Sequence, residues 1–244
     1  MIHDPLPQGF VYLNTIVPDI QVSLRYATIE NFMGTHADGY LKNVSIMTER
    51  AALGLKHVQE MLRKDNCELV IYDTYRPQKA VDHFKRWSQD VHDQIKKKSY
   101  YPRINKEDAF TLGYIAEKSG HTRGSTVDLS IIPLGEKVHT VDVIDKSLND
   151  GFHIWFLDDG TVNMGSSFDL FDNASHTNST LVSEEEHQLR MYLKRIMEQA
   201  NFTNYPLEWW HYTLNNEPFP ETYFDFDINT NDIVGVKEQV QRDL

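Results

Sequence analysis

Apolar positions recur along this chain with two periods. Val22, Leu24 and Tyr26 alternate with polar neighbours, which predicts a half-buried strand leading into the loop around Gly34 and Gly39. From Glu49 the period lengthens: Ala51, Leu55, Val58 and Leu62 share one face of a helix that Thr48 caps and that runs to Lys64. Glu68 to Asp73 holds Leu69, Val70, Ile71 and Tyr72 without interruption, a run suited to an internal strand covered on both faces. Pro77 pre-sets the first turn of the next helix, with Ala80, Phe84, Trp87, Val91 and Ile95 as its stripe. Asn105 with Asp108 predicts the capped start of a helix over Lys106 to Lys118, stopping before Gly120. Val127 to Ile132 reads as a further strand. Ser183 and Glu186 form a capping box for a helix through Ala200 with Leu189, Leu193, Ile196 and Ala200 inward, and Leu207 to Leu214 reads as a strand dense in aromatics.

Strands and helices mix without a regular βαβ repeat, and hairpin-length spacers separate the later strands. The expected fold is therefore α+β, a single domain over residues 1–244 with a mainly antiparallel central sheet flanked by helices. Val138 to Thr161 is the least patterned portion and predicts an insertion or long excursion, and a polar tail is expected from about residue 227. A hydrophobic content of 40% with 25% charged residues belongs to ordinary globular chains rather than disordered ones. The formal net charge of -12 disfavours a nucleic-acid partner, and the one basic run, Lys96-Lys97-Lys98, reads as the solvated end of a helix. No stretch has the length of a membrane span, and residues 1–10 lack a basic segment followed by an apolar one. The expected location is cytoplasmic, or periplasmic if a signal peptide has been removed, and an oligomer is possible without being indicated. The single cysteine, Cys67, excludes an internal disulfide or a multi-cysteine metal site and reads as a small buried thiol.

Any metal must then use histidine and carboxylate. Most of the eleven histidines sit among polar residues, as His57, His83, His92 and His187 do on expected helices. Two segments differ. In Ser119-Gly120-His121-Thr122-Arg123-Gly124-Ser125-Thr126-Val127-Asp128 a histidine on a glycine-flanked loop precedes an aspartate at the start of an apolar strand; in Glu208-Trp209-Trp210-His211-Tyr212 a carboxylate and a histidine stand among large aromatics. Burying such charges is costly unless they are paired or bound to a cation. Two neutral imidazoles and one carboxylate, His121, His211 and Asp128, supply three positions of tetrahedral zinc and leave the fourth for water, with Glu208 placed to take a proton. The same residues also suit a capped turn and a core histidine beside tryptophans. No HExxH motif is present, and a regular strand would put Glu208 and His211 on opposite faces, so a turn, bulge or strand end is required between them. Arg76, between a buried strand and a helix start, suits an oxyanion or a structural salt bridge with Asp73 or Asp82; Asp169 suits a substrate ammonium or a loop cap.

Taken in order, Arg25-Tyr26-Ala27-Thr28 with Asn31-Phe32, Asp73 to Pro77, Ser119 to Asp128, Met164-Gly165 with Phe168-Asp169, Glu208 to Tyr212 and Tyr223 to Phe226 resemble the D-alanyl-D-alanine dipeptidases. These zinc enzymes are related to the vancomycin-resistance dipeptidase and more distantly to D-Ala-D-Ala carboxypeptidases. The resemblance covers approximately Phe10 to Phe226. It implies one zinc ion per chain on His121, Asp128 and His211, Glu208 as general base, Arg76 at the transition state, Asp169 on the dipeptide's amino group, Ser119 as a substrate contact and Tyr26 lining the pocket. The implied activity is hydrolysis of D-alanyl-D-alanine, a reaction of cell-wall metabolism. A D,D-carboxypeptidase or other peptidoglycan peptidase, and a zinc-binding domain without turnover, are the alternatives. Gly120 stands where the family is expected to carry serine, and the stretch before Met164 is longer than in its compact members.

Overall fold

The computed structural model describes residues 6–230. In chain order its elements are β1 (Phe10–Tyr12), α1 (Leu13–Ile16), β2 (Gln21–Val22), β3 (Ile46–Thr48), α2 (Glu49–Lys64), β4 (Cys67–Asp73), α3 (Gln78–Gln89), α4 (Lys97–Tyr100), β5 (Thr126–Pro133), β6 (Asp142–Ser147), β7 (His153–Asp158), α5 (Glu184–Gln199), β8 (Phe202–Asn204) and β9 (His211–Leu214). Five strands form the central sheet in the order β2-β4-β5-β9-β8, and only the β2–β4 pairing is parallel. The fold is thus α+β with a mainly antiparallel sheet, as expected. β4 and β5 are buried almost throughout, as internal strands of the sheet.

α2 packs on β4, α5 on β8, and the two helices touch each other. Both begin where the sequence predicts. The Thr48 hydroxyl accepts the Ala51 N–H, and Ser183 and Glu186 complete a reciprocal capping box. The excursion at 138–161 is a two-stranded hairpin, β6 with β7, packed over a small satellite core of Leu148, Ile154, Leu170 and Ala174.

Several expectations change. The strand through Val22 to Tyr26 ends at Val22, and Arg25–Ala27 is a 3₁₀ turn, because the Asn31 side-chain amide holds the carbonyls of Arg25, Thr28 and Thr35 and competes with a strand ladder. α3 stops at Gln89, so Val91 and Ile95 are exposed; Asp90 and Asp93 each accept the N–H two residues on, which turns the chain. Of the helix expected over Lys106 to Lys118, only Lys106–Asp108 is helical, as a 3₁₀ turn. Asn105 makes no side-chain cap, and Gly113 takes φ 87°, which breaks the run. The strand at Leu207 to Leu214 begins only at His211. On α5, Arg190 rather than Leu189 lies on the buried stripe.

Cys67 is a half-buried free thiol. The lysine run falls at the start of the short α4 and engages the protein itself: Lys96 pairs with Glu30, Lys97 donates to the Ile104 carbonyl and Lys98 lies over the Trp155 ring. His92 is in a turn rather than a helix. No helix among the described residues is long and apolar enough to cross a membrane. The expected polar tail from residue 231 onward lies outside the described residues.

Candidate metal centre and binding cavity

Three adjacent strands present their polar residues in one row. Asp73 at the end of β4 lies opposite Asp128 of β5, which lies opposite His211 of β9. Directly opposed residues on neighbouring antiparallel strands point to the same face, so the row shares one side of the sheet. Alignment at Asp73 depends on a register shift between Ile71 and Asp73, a bulge that re-aims the strand end beside the site.

His121 reaches the row from the 3₁₀ turn Gly120–Arg123, which the Ser119 hydroxyl caps by accepting the His121 N–H at 3.3 Å. Gly124 closes that turn at φ 84°, where a side chain would strike the Phe10 ring. Nδ1 of His121 lies 2.7 Å from the Thr74 carbonyl. A carbonyl only accepts, so Nδ1 carries the proton and Nε2 presents its lone pair to the site. That Nε2 is 3.2 Å from Asp128 Oδ2 and 3.4 Å from His211 Nδ1, while His211 Nδ1 is 3.1 Å from Asp128 Oδ1.

One ligand atom from each of His121, Asp128 and His211 falls within a 4.8 Å span, and the buried Asp128 turns one oxygen to each ring, Oδ1 to His211 and Oδ2 to His121. A buried carboxylate set between two imidazole nitrogens is an arrangement that a divalent cation satisfies, and the donor set of two nitrogens and a carboxylate suits zinc. The protein alone meets the same charge by drawing protons. Burial lowers His211, but Asp128 and Glu208 outweigh it and push the imidazole up to about 9. Burial raises Asp128, and the two imidazoles hold its carboxyl below the usual range.

Glu208 lies on a turn, not a strand. The Glu208 N–H bonds the Tyr205 carbonyl at 3.1 Å, the His211 N–H bonds the Glu208 carbonyl at 3.3 Å, and the Asn204 amide donates to the carbonyls of both Glu208 and His211. The Trp209 indole N–H anchors the turn on Ser166 Oγ at 3.0 Å. Three-residue spacing on a turn puts Glu208 and His211 on one side, with Oε2 3.3 Å from His211 Nδ1. Burial raises the Glu208 carboxyl above its ordinary range.

Arg76 makes the salt bridge with Asp73 rather than Asp82, and it also lines the cavity. Its Nε donates to Asp73 Oδ2 at 2.9 Å, its Nη2 lies 3.5 Å from Asp128 Oδ2, and the guanidinium lies over the rings of Tyr26 and Phe84. Asp73 in turn accepts the Tyr40 hydroxyl at 2.6 Å. Asp169, at φ 61°, is buried and accepts the Tyr26 hydroxyl at 2.6 Å. Burial, followed by the Asp128 charge, raises its pKa well above the usual carboxylate range. Gly165, earlier on that loop, takes φ 89°, and a Cβ there would stand 2.5 Å from Val182.

A cavity of about 270 Å³ connects these groups. Tyr26, Arg76, Ser119, Asp128, Asp169, Glu208 and His211 all line it, with apolar walls from Phe32, Phe84 and Ile115, aromatic edges from Tyr114 and Tyr205, and Arg123 also on the lining. His121 completes the ligand cluster from behind the lining. The structure thus brings all eight residues singled out in the sequence to one place. It adds the Thr74 carbonyl, Asn204, Tyr114 and Tyr205, which no local pattern marks, and it pairs Arg76 with Asp73, signalled by their three-residue spacing. The β6–β7 hairpin braces the Asp169 loop from outside: the Leu157 N–H bonds Ser167 Oγ at 2.6 Å, and Leu170 is fully buried in the satellite core.

The Peptidase M15 family, described as D-ala-D-ala dipeptidase, matches residues 7–145 and 154–229. The residues between the two matched stretches, 146–153, fall at the turn end of the β6–β7 hairpin. The D-alanyl-D-alanine dipeptidase of Enterococcus faecalis is 36% identical over 225 residues, covering 92% of this chain and 100% of that protein. The enzyme of the same name from Enterococcus faecium is 37% identical, with 90% of this chain and 98% of the relative covered. The one from Streptomyces coelicolor is 38% identical at the same coverage of 90% and 98%.

Proposed function

Because this chain belongs to the D-Ala-D-Ala dipeptidase family of M15 peptidases, we propose that it hydrolyses D-alanyl-D-alanine to two D-alanines, with one zinc ion held by His121, Asp128 and His211. The observation that carries this reading is the convergence of those three buried or half-buried ligands, with their ligand atoms within 4.8 Å of one another, beside a cavity that also holds Glu208, Arg76 and Asp169. We read residues 6–230 as one catalytic domain, because one contiguous core runs from Phe10 to Ile228.

Zinc, when bound, supplies a Lewis acid and an acidified water. The protein supplies the rest. Asp169 and Tyr26 receive the substrate ammonium at one end of the cavity, and Ser119, whose oxygen already accepts the His121 N–H, has its hydroxyl proton free for a substrate oxygen. Glu208 takes the proton of the attacking water and delivers it to the departing amine as the C–N bond breaks and the new C–O bond forms. Burial keeps Glu208 a stronger base than an exposed glutamate. Arg76, locked by Asp73, stabilises the oxyanion that develops on the scissile carbonyl.

Selectivity for a dipeptide follows from the buried Asp169: an acylated or longer chain brings no ammonium there and leaves the carboxylate with the Tyr26 hydroxyl but no counter-charge. Comparing kcat/KM for D-Ala-D-Ala with that for N-acetyl-D-Ala-D-Ala tests the reading. Preference for the free dipeptide is expected; preference for the acylated peptide would assign the chain to the carboxypeptidases instead.

A further inference from the structure

Arg190 of α5 is fully buried, yet its guanidinium forms no ion pair with a carboxylate among the described residues. Nε donates to the Met164 carbonyl at 2.6 Å, Nη1 to the His176 carbonyl at 2.8 Å, and Nη2 to the Ala174 carbonyl at 2.8 Å and to Ser166 Oγ at 3.4 Å. Glu186, one turn earlier on the helix, is engaged by Lys146 and by the Ser183 cap. A buried charge without a counter-ion is unfavourable, and an apolar side chain of similar volume fills such a helix stripe at lower cost. What the guanidinium adds is direction: rigid, diverging donors aimed at several carbonyls at once.

Those acceptors bracket one segment. Met164 and Ser166 lie at its start, Ala174 and His176 at its end, and Asp169 stands between them in the left-handed region at φ 61°. A non-glycine residue holds that conformation only where its surroundings over-determine it. The hairpin braces the segment from outside through Ser167, and Arg190 ties its two ends together from the helix side.

We propose that Arg190 is a positioning residue that closes the 164–176 segment so that the Asp169 carboxylate faces the cavity, and that it thereby sets the preference for a substrate with a free ammonium. This rests on the reading of Asp169 given above. Lysine keeps the charge but offers a single nitrogen, which does not span acceptors at both ends of the segment.

The test uses the full-length zinc enzyme and measures kcat/KM for D-Ala-D-Ala divided by kcat/KM for N-acetyl-D-Ala-D-Ala, a ratio from which the folded fraction cancels. Arg190→Lys is expected to lower this ratio at least tenfold relative to the unmodified protein, mainly through a higher KM for the free dipeptide. Equal losses on both peptides, leaving the ratio unchanged, would show a purely structural role and overturn the inference. An unmodified enzyme with no preference for the free dipeptide would overturn the reading of Asp169 itself, and the inference with it. Should Arg190→Lys not fold, Ser166→Ala loosens the same segment while sparing the three carbonyl contacts, and it also releases the Trp209 indole, a loss that both peptides share and the ratio removes; a roughly threefold fall in the ratio is then expected, and an unchanged ratio overturns the inference.

Discussion

Replacing Glu208 with glutamine isolates the proton acceptor from the metal ligands. The amide matches the carboxylate in size, and the turn that carries it is held by backbone contacts and by the Asn204 amide rather than by the Glu208 side chain. His121, Asp128 and His211 are untouched, so zinc content is expected to stay at one ion per chain. A positioned general base contributes about 10²- to 10⁴-fold, or roughly 2.7–5.4 kcal/mol at 1.36 kcal/mol per decade. Removing a buried charge from a desolvated position is not expected to lower the melting temperature. The assay is D-alanine release under saturating dipeptide, with metal content measured on the same sample. Glu208→Gln is expected to reduce kcat at least a hundredfold while KM changes less than about threefold. A kcat within tenfold of the unmodified enzyme would place the base elsewhere, and a loss of zinc would make Glu208 a ligand instead.

Three further outcomes follow from the same geometry. Asp169→Asn removes a charge-assisted hydrogen bond to the ammonium, typically about 1.5–3 kcal/mol, so kcat/KM for D-Ala-D-Ala is expected to fall roughly ten- to 150-fold while that for the N-acetyl peptide changes little; steady-state kinetics on both peptides check it. Arg76→Lys cannot keep both the Asp73 and Asp128 contacts. Breaking a buried pair costs about 3–5 kcal/mol, so a melting temperature lowered by several degrees is expected together with a kcat reduced by about 10²-fold, both read by thermal unfolding and turnover. Burial raises Glu186, but Lys146 and the Ser183 cap outweigh it and hold the carboxyl below the ordinary glutamate range. The stability it contributes is therefore complete above the unfolded-state pKa and is lost as pH falls through the lower folded value. Glu186→Gln is expected to be less stable than the parent at neutral pH, with the difference shrinking towards acid, as denaturant titrations at several pH values will show.

How much of this was legible in the sequence depends on whether local or distant contacts set the structure. α2 and α5 follow from Thr48, Ser183 and Glu186, because a cap is a contact within three residues of its partner. β4 and β5 follow from runs of apolar residues that only a strand covered on both faces explains. The turn at Arg25–Ala27, the turn at Leu207 to Trp210 and the irregular stretch after Asp108 escape a local reading because distant or side-chain groups decide them: Asn31 holds the carbonyls of Arg25 and Thr28 around the first, Asn204 holds the second, and Gly113 interrupts the third. The identity of the site residues was legible through their resemblance to a family, but their convergence was not. It depends on the bulge that places Asp73 opposite Asp128 and on the pairing that places Asp128 opposite His211, neither of which has a local signature. Arg190 was hidden for another reason: an arginine on a helix reads as solvated unless its place on the Glu186, Leu193 and Met197 stripe is noticed.

The central claim is that His121, Asp128 and His211 hold one zinc ion on which dipeptide hydrolysis depends. The most direct measurement is zinc content paired with D-alanine release, followed through chelation and stepwise return of the metal. The account predicts about one zinc per chain, parallel loss of metal and activity, and full recovery at one equivalent, with His211→Ala failing to recover at that stoichiometry. Undiminished D-alanine release from the metal-free protein would contradict it.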